Sequence, residues 1–302
     1  MPVSKKRLKK TKKPSKSSAS PKTVSPDRKS MEKMLSELTR GVIPSQFIGD
    51  DPFDDGEDSA LLRAQNIMYD AWEAGSKRAR IALARDALAV SDLCADAYVL
   101  LADEAAKNII ETRSYLEQAV AAGEQAVGTH SFEHDVGRFW GLLETRPYMR
   151  ARADLAQCLW DLGERENAAR HMLDLLRLNP NDNQGLRYIL MSWLLALDDR
   201  EGLEKILTDY PEVSAWASYS QALLLFKHHG PARAAAKALK EAVETNAHVV
   251  DFLLRTKRIP ATLPEYYSPG SKEEAVFYIN DNRENWAATK GALQWMAETI
   301  QK

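Results

Sequence analysis

A few groups of side chains in this sequence have types and spacings with which chemistry could be done. His130 and His134 stand four apart, with Glu133 and Asp135 beside them. On a helix that spacing puts both imidazoles on one face and offers a metal ion two ligands. No recognisable pattern places a third ligand, and the His-Glu order of a zinc protease is absent, so the pair reads as surface histidines and no metal or other cofactor is expected. Cys94 and Cys158 lie far apart in apolar helical contexts. They read as buried small hydrophobes in a reducing compartment rather than as a disulfide framework. His228 and His229 precede Gly230 and Pro231, where a helix ends and cations suit its dipole. There is no Gly-rich phosphate loop, nucleophile elbow or Cys-x-x-Cys pair, so no catalytic residue is assigned and the chain is read as non-enzymatic.

Two segments point to binding instead. "RFWGLLETRPYMRAR" (138–152) sets Arg138, Arg146, Arg150 and Arg152 among Phe139, Trp140 and Tyr148. Arg and aromatics dominate interface hot spots, and Arg grips carboxylate or phosphate with two parallel bonds. The partner-binding set expected from this segment is Arg138, Trp140, Arg146, Tyr148, Arg150 and Arg152. The alternative is that Trp140 and Tyr148 pack an irregular junction with Arg stems laid over them. The tail "KKRLKKTKKPSK" (5–16) supplies Lys5, Lys6, Arg7, Lys9, Lys10, Lys12 and Lys13. Such a cluster neutralises phosphates with salt-sensitive, sequence-independent affinity. It carries no aromatic on which a base could stack. Nucleic acid or another polyanion is the expected partner of this arm. A nuclear address, a membrane-surface patch, a solubilising arm and masking by the acidic residues at 50–58 stay open.

The elements that must position these residues follow from composition and periodicity. The 302 residues are 44% hydrophobic and 28% charged, an ordinary soluble balance. The net charge of −2 hides an asymmetry: residues 1–30 hold eleven Lys and Arg against Asp27, a net of +10, and the remainder carries −12. Residues 1–30 read as a disordered basic tail. Residues 31–58 read as a short helix, "SMEKMLSELTRG" with Ser30 as its cap, and an acidic linker, "GDDPFDDGEDS". That linker places Phe53 and Leu62 where a calcium loop needs ligands, which excludes the loop. No apolar run reaches the roughly 18–20 residues of a membrane span, and no apolar region follows the cationic start as in a secretory signal. The expected location is the cytoplasm, or the nucleus in a eukaryotic host.

From residue 59 nearly everything reads as helix. In "GERENAARHMLDLLRLNPNDNQG" (163–185), Ala168, Met172 and Leu175 mark a helix that packs at a small residue and ends before Pro180. Leu155, Ala156 and Leu159 mark the helix before it, with Leu162-Gly163 as the turn. This is the tetratricopeptide pattern of paired helices over 34 residues. Gly202 and Ile206 follow Ala168 and Met172 by 34, after a first-helix set of Leu186, Ile189, Leu190 and Trp193. Ala79, Leu83 and Ala87 precede them in the same relative places, ahead of Tyr98, Leu101, Ala102 and Ala105. Ala235, Leu239 and Ala242 come after. An irregular insertion falls at about 128–147. The fold expected is all-α: a tetratricopeptide-like helical-repeat solenoid over 59–255, with a helical cap over 256–302. In the cap, Pro269 and Gly270 make a turn, Ser271 and Glu274 form a capping box, and Trp286 and Trp295 seal the open end.

"LNPNDNQG", "YYSPGS" and "GALQWM", within 146–199 and 263–296, are the stretches in which the chain resembles the tetratricopeptide-like family named for suppression of tumorigenicity, with bacterial-type relatives. The resemblance covers roughly 60–302. It implies a fold and an adaptor-like role and carries no reaction. The family's founder is similar to membrane-anchored proteins, whereas this chain shows no membrane segment. Tetratricopeptide domains that clamp a terminal carboxylate use Lys and Asn where this chain has Ala153 and Gln157, so that mode is not expected. The functional expectation is a scaffold that binds a peptide or helix on a helical-repeat surface. The alternative is a nucleic-acid-associated protein whose tail holds the phosphates while the solenoid recruits a partner.

Overall fold

Helix starts in this chain are written by short polar side chains. The computed structural model describes residues 59–301. The basic tail, the short helix expected at 31–41 and the acidic linker before residue 59 lie outside the described residues. Ser59 caps α1 (Ala60–Glu73), its Oγ accepting from Leu62 N at 3.2 Å, and Ser76 caps α2 (Lys77–Val90) in the same way. α3 (Ala95–Glu104) follows, and Asn108 opens α4 (Ile109–His134) by accepting from Ile110 N and Glu111 N. Each such bond satisfies one of the orphan amides of a helix's first turn. A 3₁₀ turn (Phe139–Gly141) precedes α5 (Arg146–Asp161) and α6 (Arg165–Leu178). Then come α7 (Leu186–Leu197), α8 (Arg200–Asp209), α9 (Ala215–His229), α10 (Arg233–Thr245), α11 (His248–Leu253), α12 (Lys272–Ala288) and α13 (Ala292–Ile300). Among the described residues the chain is all-helical, with no strand.

Most helices pack chiefly on a neighbour in sequence: α1 on α2, α3 on α4, α4 on α5, α5 on α6, α9 on α10. Alternate helices also touch, α1 with α3, α3 with α5 and α7 with α9, and more distant contacts join α9 to α12 and α10 to α13. The residues singled out by their spacing form this interior. Ala168, Met172, Leu175, Leu155, Ala156, Leu159, Ala235, Leu239 and Ala242 are all buried. In α2 the inward pair is Ala84 and Ala87, while Ala79 and Leu83 are only half-buried. Fully burying one Leu-sized side chain contributes about 2 kcal/mol, so the stack rests on many modest increments.

The insertion at 128–147 is a real break. Gly128 (φ 72°, ψ 161°) is non-helical and kinks α4, a backbone region that favours glycine. Past the kink, Phe132, Phe139 and Tyr148 meet with centroids 5.2–6.5 Å apart, and Thr145 Oγ1 donates to the Phe139 carbonyl. Trp286 is fully buried against Tyr219 and bonds the Tyr278 hydroxyl, and Trp295 stacks on Phe226 at 4.4 Å.

α4 and α5 approach closely enough that only glycine fits at one position. A Cβ on Gly123 would stand 3.0 Å from both Cα and Cβ of Tyr148 and 3.3 Å from Cβ of Ala95. Gly123→Val should cost about 2–3 kcal/mol through overpacking. A loss of thermal stability in a circular-dichroism melt checks it, and an unchanged melting temperature contradicts the close approach.

Candidate functional site

The arginine-aromatic segment is mostly spent inside the fold. Arg150 is buried and grips Asp96 with two bonds, Nε to Oδ1 at 3.0 Å and Nη2 to Oδ2 at 2.6 Å. Gln65 Nε2 donates to the same carboxylate at 2.9 Å, and Arg150 lies over the Trp72 ring, so α1, α3 and α5 are joined by one polar knot. Tyr148 is buried, and its hydroxyl accepts from Arg152 Nη1 at 2.6 Å. Arg152 also pairs with Asp174, which lies below the usual carboxylate range despite its burial because Arg177 and Arg152 hold it charged. Arg146 stacks over Trp140 and donates to that residue's carbonyl at 2.9 Å. Arg138 is the exposed member, paired with Asp135. Of the six residues expected to meet a partner, Tyr148 and Arg150 therefore offer it no surface. The polar atoms of Arg150 are committed to another helix and the Tyr148 hydroxyl to Arg152 on its own helix.

His130 and His134 stack at 4.3 Å on the exposed side of α4, with His134 Nδ1 3.0 Å from the His130 carbonyl oxygen. Cys94 and Cys158 are buried and unpaired. Burial pushes the Cys94 thiol up to about 12 and the Cys158 thiol up to about 11, so neither supplies a thiolate near neutral pH. Lys5, Lys6, Arg7, Lys9, Lys10, Lys12 and Lys13 lie outside the described residues.

A different surface is open. α8 has 10 residues, against 14 in α6 and 13 in α10, because Asp199 caps its start and Pro211 follows its end. It packs back on α7, leaving a cleft of about 630 Å³ beside α9. That volume lies within the ~300–1,000 Å³ typical of ligand sites. Leu207, Ala217, Leu224 and Leu225 give it an aliphatic floor, with Val213 at the mouth. Val213 is 75% exposed. Glu204, Glu212 and Glu241 rim it.

The cleft's shape is fixed from behind by a buried carboxylate. Ser271 caps α12 as its spacing to Glu274 suggested, with Oγ accepting from Glu274 N at 3.1 Å. The reciprocal bond goes elsewhere. Glu274 is fully buried and accepts from Gly270 N at 2.7 Å, Asn246 Nδ2 at 2.9 Å and Ala215 N at 3.0 Å. Ala215 N is the first amide of α9, so one carboxylate ties the starts of α9 and α12 to the end of α10. On the flank, Arg187 pairs with Asp182 and with Glu212, both at 2.7 Å. Its guanidinium lies 4.2 Å from the Tyr188 centroid and 5.5 Å from that of Tyr210. Tyr188 packs on Trp216, which is covered by Tyr267 and donates from Nε1 to Asp281 at 3.0 Å. Desolvation raises the Asp281 carboxyl above its ordinary value, against the bonds from Asn280 and Trp216.

None of the cleft residues is conspicuous in the sequence, being aliphatic, small or solvated acids. The usable signal is the truncated α8 between Asp199 and Pro211.

A family model described as ST7 protein matches residues 53–302. The chain is 29% identical over 266 residues to the suppressor of tumorigenicity 7 protein-like of Gallus gallus, covering 78% of this chain and 46% of that protein. It is 29% identical over 261 residues to the protein ST7 homolog of Drosophila melanogaster, covering 78% and 48%. To the suppressor of tumorigenicity 7 protein of Macaca fascicularis it is 27% identical over 285 residues, covering 78% and 53%. The chain thus spans about half the length of the curated relatives it matches, and these are animal proteins rather than the bacterial-type relatives expected. No helix among the described residues is long and apolar enough to cross a membrane.

Two outcomes follow from the buried polar groups. Asp96→Ala or Arg150→Ala leaves an uncompensated buried charge and should cost about 3–5 kcal/mol. Asp96→Leu with Arg150→Met should recover at least half of that, read by urea denaturation; equal losses in the single and double variants would contradict the pair. At Asp281 the folded pKa lies above the unfolded one, so ionisation opposes folding above the unfolded value and protonation relieves it as pH falls through the folded value. Asp281→Asn keeps an acceptor for Trp216 and should raise the melting temperature at pH 7, the advantage shrinking toward pH 4. A variant less stable at both pH values refutes the assignment.

Proposed function

The chain belongs to the ST7 family, and on that premise we propose that it is a non-enzymatic interaction scaffold, a tetratricopeptide-like solenoid that captures a peptide or helix of another protein. The solenoid reading draws support from the 34-residue recurrence and from helices that pack chiefly on their sequence neighbours. The observation that carries capture is the cleft beside α9. It is open, apolar along its floor and held rigid by the Glu274 knot. A surface preorganised in this way loses little entropy on binding, and a groove with an aliphatic stripe suits a helix laid along it. The apolar surface the cleft leaves accessible is Leu207 on α8, Leu225 on α9 and Val213 in the connection between these helices. The Arg138 neighbourhood is at most an accessory contact in this reading.

The polyanion-binding reading of the tail rests on the charge of +10 in residues 1–30 and is the second proposal. A photo-crosslinking side chain installed at Gln221, exposed in the cleft, should capture a discrete protein partner in host cells and keep it after nuclease treatment. The same group at Glu117 on α4 should not. Ser218→Trp, which fills the cleft, should abolish the adduct. Equal adducts from both positions, or an adduct indifferent to Ser218→Trp, removes the cleft as the binding site. Loss on nuclease treatment transfers the function to the tail.

A further inference from the structure

The cleft is specific about what its occupant must bring. Besides its aliphatic floor it is lined by three hydroxyls, and each is already committed. Thr208 Oγ1 donates to the Glu204 carbonyl at 2.8 Å and Thr245 Oγ1 donates to the Glu241 carbonyl at 3.0 Å. Ser218 Oγ and Thr245 Oγ1 are 3.1 Å apart. With the threonine proton on its own helix, the serine proton goes to Thr245. Apart from the Gln221 amide, the lining side chains therefore offer acceptors and no free donors, and they include no Lys or Arg. Glu212 is held by Arg187 on the flank. Glu204 and Glu241 stand on opposite walls, α8 and α10, each in an exposed i,i+4 pair, with Arg200 at 2.8 Å and Lys237 at 3.4 Å. Pairs of this kind are weak and are readily exchanged for another cation.

Resting on the capture reading above, we propose that the occupant is a cationic amphipathic helix of a partner protein, with aliphatic side chains against Leu207, Val213 and Leu225 and Lys or Arg on both flanks reaching Glu204 and Glu241. Two carboxylates bracketing an apolar floor complement that pattern and repel an acidic helix. Residues 59–302 carry a net charge of −6, which favours approach of such a partner.

The probe is a fluorescein-labelled helical peptide with leucines on one face and lysines on the other, titrated into the full chain by fluorescence anisotropy. A counterpart with glutamates replacing the lysines is the control. The leucine-lysine peptide should bind saturably and more weakly as salt rises, and the glutamate peptide should not bind. Glu204→Lys with Glu241→Lys should weaken binding about tenfold or more, as expected of opposed rather than matched charges. Glu204→Gln with Glu241→Gln should give a smaller loss in the same direction, and Glu117→Lys none. Equal binding of both peptides, or indifference to both double variants, overturns the cationic assignment. In that case a continued block by Ser218→Trp leaves capture at the cleft standing, and no block removes both. If replacing Lys5, Lys6, Arg7, Lys9, Lys10, Lys12 and Lys13 by Gln raises the probe's affinity about tenfold or more, the chain's own tail fills the cleft, which overturns the assignment to a partner.

Discussion

The arrangement of the C-terminal half depends on where one carboxylate sends its oxygens. Glu274 is fully buried, yet it meets three neutral donors on three elements: Ala215 N, Asn246 Nδ2 and Gly270 N. A buried charge is tolerated only when its acceptor sites are filled. Moving any of α9, α10 or α12 independently would strip it of a donor. Asn246 spreads the constraint further: its amide also donates to the Ser271 carbonyl, its side-chain oxygen accepts from His248 N, and its own carbonyl accepts from Tyr219. The register of these helices is thus set by hydrogen-bond satisfaction, on top of an apolar core that several registers could fill.

That fixed frame makes the departure at α8 consequential. A helix of 10 residues that packs back on α7 leaves a cleft beside α9. Elsewhere a gap of this kind would close by a small shift of its neighbours. Here α9 is pinned at its start by Glu274 and Ser214 and along its side by Trp216 bonded to Asp281. The gap persists as a cleft.

How much of this can be read from the sequence differs by level. The all-helical class, the break at Gly128, the cap at Ser271 and the buried Trp286 and Trp295 all follow from local signals, since caps, glycines and apolar spacing act within a turn or two. The long-range partners do not. Nothing in "SKEEA" says that Glu274 will serve Ala215, 59 residues earlier, and nothing in "RPYMRAR" says that Arg150 will find Asp96, 54 residues earlier. Gln65, a polar interruption in the α1 stripe beside Met68, is explained by that same carboxylate, to which it donates, and by the Cys94 thiol, from which it accepts. The cleft is legible only as the absence of helix between Asp199 and Pro211, and a pattern search that looks for residues does not register a missing turn.

The same logic explains why a rich arginine-aromatic segment is a poor guide to an interface in a helical stack. Arg150 and Arg187 each satisfy carboxylates on other elements while covering an aromatic ring. The planar guanidinium does both at once, which is the property that also makes it a hot-spot residue. Residue type alone therefore does not separate internal fastening from external binding at Arg150 and Arg187. What separates them is whether the acceptors are already matched. Around Arg150 they are, on all sides that the described residues present. Around the α9 cleft the hydroxyl protons are spent, the carboxylates on α8 and α10 hold only exposed, exchangeable cations, and Val213 is left bare at the mouth.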